Sequence, residues 1–120
     1  MRIPASKRIT VVLTFVCCGL FWNYGWIVIR VTCASGQTKI FEEMETRALK
    51  SDAKEAAEYL EYVTHYYVSG TRQEKGSRID VMVERDRRRV IKEIIAYLRV
   101  KTGQDLGDDP QAWIRSFLGR

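Results

Sequence analysis

The chain has 120 residues, a formal net charge of +5, one histidine and three cysteines. Of its 20 lysines and arginines, three lie in residues 1–9, and the other 17 are offset by 15 acidic residues, an excess of only two. A balance this close excludes the strongly basic surface typical of nucleic-acid binding. The cysteine and histidine positions match no common metal-ligand spacing, so we expect no metal and no cofactor.

The dominant feature of the sequence is an uncharged apolar stretch of twenty residues, Thr10–Ile29. A bilayer core about 30 Å thick requires ~20 apolar residues in a helix, because each residue rises about 1.5 Å. Trp22, Tyr24 and Trp26 lie toward its C-terminal end, where aromatic rings favour the headgroup region. We therefore predict one transmembrane helix over residues 10–31.

Two alternatives to an anchor remain open. A cleavable signal peptide also begins with a basic segment, but its apolar region usually has only ~7–15 residues, and the stretch here is longer. The second alternative is a buried helix of a soluble protein, which passes the same test of length and composition.

The charges that flank the apolar stretch predict its orientation. Arg2, Lys7 and Arg8 precede the stretch, whereas Arg30 alone follows it closely. Because flanking lysines and arginines favour the cytoplasmic side, residues 1–9 are expected to form a basic cytoplasmic tail. The prediction is a single-pass protein of the cell membrane with an extracytoplasmic C-terminal domain.

Beyond the anchor we expect a hinge at residues 32–37 and an extramembrane α-helical domain at residues 38–120. Apolar residues recur at helical spacing in three segments, which are therefore predicted to be helices: Thr38–Lys50, Ala53–Val68 and Arg78–Lys101. Capping residues mark where helices begin and end, with Asp52, Ser77 and Asp109 as N-caps and Gly103 as a C-terminal stop. The predicted fold class is all-α: one N-terminal transmembrane helix, a small helical hairpin and a short C-terminal capping helix that starts at Pro110 and contains Trp113.

A run of basic residues in the third of these helices is the first candidate site. Its members are Arg85, Arg88, Arg89 and Lys92, and they are candidates for binding an anionic lipid or polymer. The alternative is a solvated helix face on which these side chains pair internally, as Glu84–Arg88, Asp86–Arg89 and Arg89–Glu93.

Arg87 differs from its neighbours because its helical angle places it near the apolar face. We predict that Arg87 is a partly buried structural charge bonded to a carboxylate at Asp105, Asp108 or Asp109.

Three tyrosines on the preceding helix, Tyr59, Tyr62 and Tyr66, are the second candidate interaction surface. The alternative for them is packing between helices. His65 follows Glu61 by one turn, which is typical of a surface pair, and no nucleophile or oxyanion site accompanies it. We therefore predict that the protein is not an enzyme. Asn23 in the apolar stretch favours association between spans.

Two segments resemble known proteins. SDAKEAAEYLEYVTHYY (51–67) and LRVKTGQDLGDDPQAWI (98–114) resemble small uncharacterised bacterial single-pass membrane proteins, and KTGQDLGDDPQAW is similar to the end of some HEAT-type helical-repeat domains. The resemblance implies an α-hairpin scaffold and no particular activity. The expected function is a membrane-anchored interaction or scaffold module with a protein partner or self-association, and the alternative is anionic lipid or polymer binding.

Overall fold

The computed structural model describes residues 4–120, so part of the predicted basic tail, including Arg2, lies outside the described residues. Within the described range the chain forms α-helices and no strands. The helices are α1 (Ala5–Ala48), α2 (Ala53–Tyr66), α3 (Arg78–Thr102) and α4 (Pro110–Leu118). The predicted all-α class is therefore confirmed. The chain divides into two compact units, Met1–Cys33 and Ala34–Arg120.

The first unit contains the apolar stretch, all of it within α1. By length and composition α1 could cross a membrane, and a signal sequence near the N-terminus would pass the same test. No residue of its most apolar window is buried by the rest of the described chain. Phe21 and Trp22, for example, keep 83% and 81% of their surface exposed. This stretch is therefore not a core helix of the fold that the chain itself forms.

The segment 32–37, predicted as a hinge, is helical and belongs to α1. Thr32 and Thr38 do not interrupt it, because their hydroxyl groups donate to the carbonyl oxygens of Val28 (2.8 Å) and Ser35 (3.0 Å). Gly36 costs a helix only about 1 kcal/mol, and no proline is present to remove a backbone hydrogen bond. The composition that suggested a hinge is therefore compatible with an uninterrupted helix.

The second unit is organised around α2, which packs against both α3 and α4. Tyr67 contacts Asp80, and Thr64 lies opposite Arg87, so α2 and α3 run antiparallel as the predicted hairpin requires. The C-terminal part of α1 contributes Phe41 and Ala48 to the same core. The side chains with no exposed surface are Phe41, Ala48, Ala56, Ala57, Leu60, Val63, Tyr67, Val83, Val90, Ile94, Leu98 and Trp113.

The predicted caps are observed at every helix of the second unit that begins within it. Asp52, Ser77 and Asp109 accept from the backbone N–H groups of Glu55 (2.8 Å), Asp80 (3.2 Å) and Gln111 (3.0 Å). Gly103 ends α3 in the left-handed region, with φ of 68°. Three helix ends differ from the prediction: α1 ends at Ala48 and not at Lys50, and α3 at Thr102 and not at Lys101. α2 ends at Tyr66 and not at Val68, because Tyr67 adopts an extended backbone.

Trp113 on α4 belongs to the core that α2 and α3 form. Its ring is fully buried and stacks on Phe117 with 6.3 Å between centroids. Its indole N–H donates to the carbonyl oxygen of Gly107 (2.8 Å), so the buried polar atom of the ring has a partner.

A matched pair of leucine substitutions tests the observed core. Leu60 is fully buried on α2, whereas Leu49 is 41% exposed. Leu60→Ala is expected to lower the free energy of unfolding by about 2–5 kcal/mol, because it removes buried apolar surface and leaves a cavity. Leu49→Ala, the control, should change it by less than about 1 kcal/mol. Denaturant unfolding of the whole chain in detergent micelles measures both, and equal losses would contradict this core.

Candidate functional site

The basic residues of α3 border an open groove. Arg85, Arg88 and Lys92 follow one another at spacings of three and four residues, which places them on one face of the helix. The groove has a volume of about 670 Å³ and runs between this face and the loop that follows α2. It is lined by Ser69, Lys75, Gly76, Asp80, Val81, Glu84, Arg85, Arg88, Arg89 and Lys92.

Internal ion pairs engage two of the four predicted basic residues. Arg88 bonds Glu84 (2.9 Å), as predicted, although its own side chain stays 72% exposed. Arg89 contacts Asp86 (3.1 Å), also as predicted, but it pairs with Glu45 on α1 (3.0 Å) where a bond to Glu93 was expected. The local helix spacing could not reveal this contact, because Glu45 is 44 positions away in sequence.

The other two predicted basic residues remain available. Arg85 and Lys92 form no ion pair with any residue in the described part of the chain, and neither does Lys75 on the opposite wall of the groove. Glu84 is only 16% exposed, and its hydrogen bond from Arg87 holds its pKa below the usual range. The groove therefore presents more positive than negative charge to a ligand.

Arg87 is partly buried, as expected, with 17% of its side chain exposed. Its partners differ from the prediction. It makes a two-point contact with Glu84 one turn earlier (2.9 and 2.8 Å) and donates to the carbonyl oxygen of Thr64 (3.0 Å). That carbonyl lies in the last turn of α2, where backbone acceptors have no partner within the helix. Arg87 therefore connects α3 to the C-terminal end of α2.

The carboxylates of the C-terminal tail bond a different arginine. Arg99 contacts Asp105 (2.9 Å) and Asp108 (2.7 Å), both in the segment between α3 and α4. Asp105 also accepts from the backbone N–H of Gly107, and that bond together with Arg99 lowers the pKa of Asp105. Arg99 is nearer in sequence to this segment than Arg87 is, which explains why it makes the contact.

Sequence reasoning missed the most connected polar group of the domain, the carboxylate of Asp80. Only 2% of this residue is exposed. One carboxylate oxygen accepts from the Tyr67 hydroxyl and from Gly70 N–H (3.2 Å), and the other accepts from Ser69 Oγ (2.6 Å) and Gly76 N–H (3.0 Å). The signal in the sequence was an acidic residue in the first turn of α3, close after two glycines.

The surroundings of Asp80 favour its charged form. Hydrogen bonds from Ser69 and Tyr67 lower the pKa of its carboxyl well below the usual range, and those from Gly76 and Gly70 add to the effect. Burial and the neighbouring carboxylate raise the pKa of Tyr67 in turn, so its hydroxyl stays protonated and continues to donate. Gly70 and Gly76 donate to Asp80 from turns in which their φ angles are 85° and 79°. Residues other than glycine rarely adopt φ angles in this region.

The three candidate tyrosines separate into two environments. Tyr59 and Tyr66 pack partly against the core, and the ring of Tyr66 meets Phe41 edge to face at 5.9 Å between centroids. Tyr62 stacks on Tyr66 at 5.2 Å and remains 46% exposed. Helix packing thus accounts for two of the tyrosines and leaves Tyr62 as the exposed one.

His65 contacts the backbone and not the side chain of Glu61. Its Nδ1 donates to the Glu61 carbonyl oxygen (2.9 Å), while the Glu61 carboxylate meets Arg120 at 3.3 Å. This arrangement gives His65 no carboxylate that would orient it as a general base. That the protein is not an enzyme stays a prediction from the sequence.

Replacement of Asp80 by asparagine tests its role in holding the loop. Asp80→Asn is expected to lower the stability of the domain and to speed amide hydrogen exchange at Gly70 or Gly76, because the new NH2 group replaces one of the two oxygens that accept these N–H groups and cannot itself accept. Asp109→Asn is the matched control, since asparagine caps a helix as well as aspartate does. Unchanged exchange at both glycines would contradict the assignment.

The lowered pKa of Asp80 also predicts a pH dependence. A group whose pKa is depressed in the folded state stabilises fully above its unfolded value, about 3.9 for aspartate, and loses that contribution as pH falls through the folded value. Stability of the wild type should therefore fall as pH drops below ~4. The Asp80→Asn variant should show a shallower fall, and a fall of equal steepness would contradict the prediction.

Adjacent arginines provide a further matched comparison. Arg87→Ala is expected to lower the free energy of unfolding by about 1–3 kcal/mol, because it leaves the Thr64 carbonyl and part of Glu84 without a donor. Arg88→Ala removes a side chain that is 72% exposed, and its effect should stay below about 1 kcal/mol. Thermal unfolding of both variants in the same detergent measures the two effects. Equal shifts in melting temperature would show that Arg87 is not a structural charge.

Comparison with known proteins adds no assignment: no protein-family model, curated protein or solved structure matches the chain. The resemblance to small bacterial membrane proteins and to HEAT-type hairpins therefore stays a prediction from the sequence.

Proposed function

We propose that the protein is a single-pass membrane protein of the cell membrane. The apolar stretch Thr10–Ile29 is the anchor, Lys7 and Arg8 belong to a cytoplasmic tail, and the helical unit Ala34–Arg120 lies outside the cytoplasm. The proposal draws support from the full exposure of the apolar stretch in the isolated chain, since lipid would cover its side chains.

The proposed role of the helical unit is that of an interaction or scaffold module for a protein partner. The observation that carries this role is the groove beside α3, where Arg85, Lys92 and Lys75 face solvent without an internal ion pair. Their charges favour a partner with an acidic surface. The unit also has its own core, so it can hold this groove in a fixed shape.

Cross-linking on intact cells with a membrane-impermeant, amine-reactive reagent tests orientation and partner binding together. The wild type is expected to form a defined cross-linked complex with its partner. Because the reagent does not cross the membrane, it can react only with lysines of an extracytoplasmic domain. Arg85→Glu should remove most of the complex. Arg115→Glu on α4 is the matched control, an exposed arginine that does not line the groove, and it should leave the complex intact.

Two results would contradict the proposal. Cross-linking that requires a permeable membrane would place the domain in the cytoplasm. Equal yields for Arg85→Glu and Arg115→Glu would show that the groove does not bind the partner.

The second candidate function is the binding of an anionic lipid or polymer through the same basic residues. The exposed Arg85, Arg88 and Lys92 favour it, since basic side chains beside a membrane are attracted to anionic headgroups. Arg89 takes less part than the sequence suggested, because Glu45 and Asp86 already contact it. Binding of the chain to protein-free anionic vesicles, weakened by salt, distinguishes this function from binding of a protein partner.

A further inference from the structure

We infer that the loop end of the helical unit, residues 68–82, is a second membrane-contact surface that lies on anionic phospholipid headgroups. The inference rests on the proposed membrane anchor and names the partner of the second candidate function. It also adds exposed apolar residues to the basic residues of that second candidate function.

Three large apolar side chains are exposed at this end of the domain. Val68, Val81 and Met82 keep 57%, 46% and 66% of their surface exposed. They come from two elements, since Val68 follows α2 whereas Val81 and Met82 lie in the first turns of α3. No side chain in the described part of the unit buries them.

The bonds to Asp80 bring these three residues to one place. Ser69, directly after Val68, donates to Asp80 at 2.6 Å, and Val81 and Met82 directly follow Asp80. Val81 also lines the groove beside Ser69 and Gly76. The three side chains, together called the patch, are therefore held at the same end of the unit.

Basic side chains occur at the same end of the unit. Lys75 and Arg85 line the groove with Val81, Arg78 begins α3, and Arg72 lies in the same loop. Among the acidic residues here, Asp80 is buried with its four donors and Glu84 is occupied by arginines, which leaves Glu74 as the exposed acid of the loop. A few aliphatic side chains within a basic border are typical of surfaces that bind the interface of an anionic bilayer.

The length of the chain favours lipid as the occupant. Phe41 packs against Tyr66 at the end of α2 that precedes the loop, and Phe41 is only twelve residues beyond Ile29. Even a fully extended chain of that length spans at most about 42 Å, so the proposed anchor keeps Phe41 within that distance of the bilayer. Tethering of this kind gives the patch a high effective concentration of headgroups.

Paired fluorescent labels on the full-length chain test this inference. Cys17, Cys18 and Cys33 are first replaced by alanine, and a single cysteine is introduced by Met82→Cys or, as the control, by Val100→Cys. Val100 is 87% exposed on the same helix but eighteen residues away, about 27 Å along its axis. Neither substitution removes a core side chain, so both variants should fold. Each is labelled with a polarity-sensitive dye and reconstituted in phosphatidylcholine vesicles with or without phosphatidylglycerol.

The label at position 82 should shift to shorter wavelength and be quenched several-fold more by a lipid-attached quencher in the anionic vesicles, and high salt should reverse both effects. The label at position 100 should not respond. Adding Lys75→Glu and Arg85→Glu to the position-82 variant should remove its response. An aqueous signal at position 82 in anionic vesicles, or equal responses at positions 82 and 100, would overturn the inference.

An alkaline wash of the same vesicles separates this failure from failure of the anchor. A chain that stays in the pellet while its position-82 label remains aqueous retains the proposed anchor and overturns only the loop contact. A chain that the wash extracts overturns both.

Discussion

The geometry of the helical unit depends most on the hydrogen bonds that the carboxylate of Asp80 accepts. Its two oxygens accept four hydrogen bonds, from two hydroxyl groups and two backbone N–H groups. None of these donors carries a positive charge, so dipoles alone compensate a buried negative charge, assisted by the N-terminal end of α3. All four lie within residues 67–76. The end of α2, the loop and the start of α3 must therefore keep their positions together, because a displaced donor would leave the buried charge uncompensated.

Much of this fold is predictable because its signals are local. The caps at Asp52, Ser77 and Asp109 need only one side chain and a backbone group two or three residues away, and each was found where the sequence placed it. Apolar spacing likewise identified the buried face of α2. Continuity of α1 through 32–37 was harder to predict, because small polar residues are compatible with either a hinge or a helix.

The contacts that escaped prediction join residues distant in sequence. The helical angle of Arg87 indicated its burial, but its partner on α2 is a carbonyl group, Thr64, that becomes available only because the helix ends two residues later. Asp80 is a similar case. Its role depends on Tyr67 leaving helical geometry, and that departure is itself stabilised by the bond to Asp80. Mutual dependence of this kind cannot be derived from either segment alone.

The structure also separates the charges of α3 by function, which a count of net charge cannot do. Arginines that face neighbouring helices, such as Arg87 and Arg89, contact Glu84, Glu45 and the backbone, and they contribute to packing. Those on the outer face, Arg85 and Lys92, gain nothing from the fold. An exposed ion pair stabilises by only ~0.2–1 kcal/mol, so stability does not explain this cluster of free positive charge beside a groove. The proposed binding of an anionic surface requires such a cluster.

The apolar part of α1 poses the complementary question of what covers it. Exposed large side chains occur around the whole helix, with Val12, Leu13, Phe21 and Trp22 pointing in four different directions. A protein partner on one side would cover one face and leave the others in water, at ~25 cal/mol for each Å² of apolar surface. A helix that is apolar all round is stable only where its environment is apolar all round. A bilayer meets that condition, which is the physical argument for the proposed anchor.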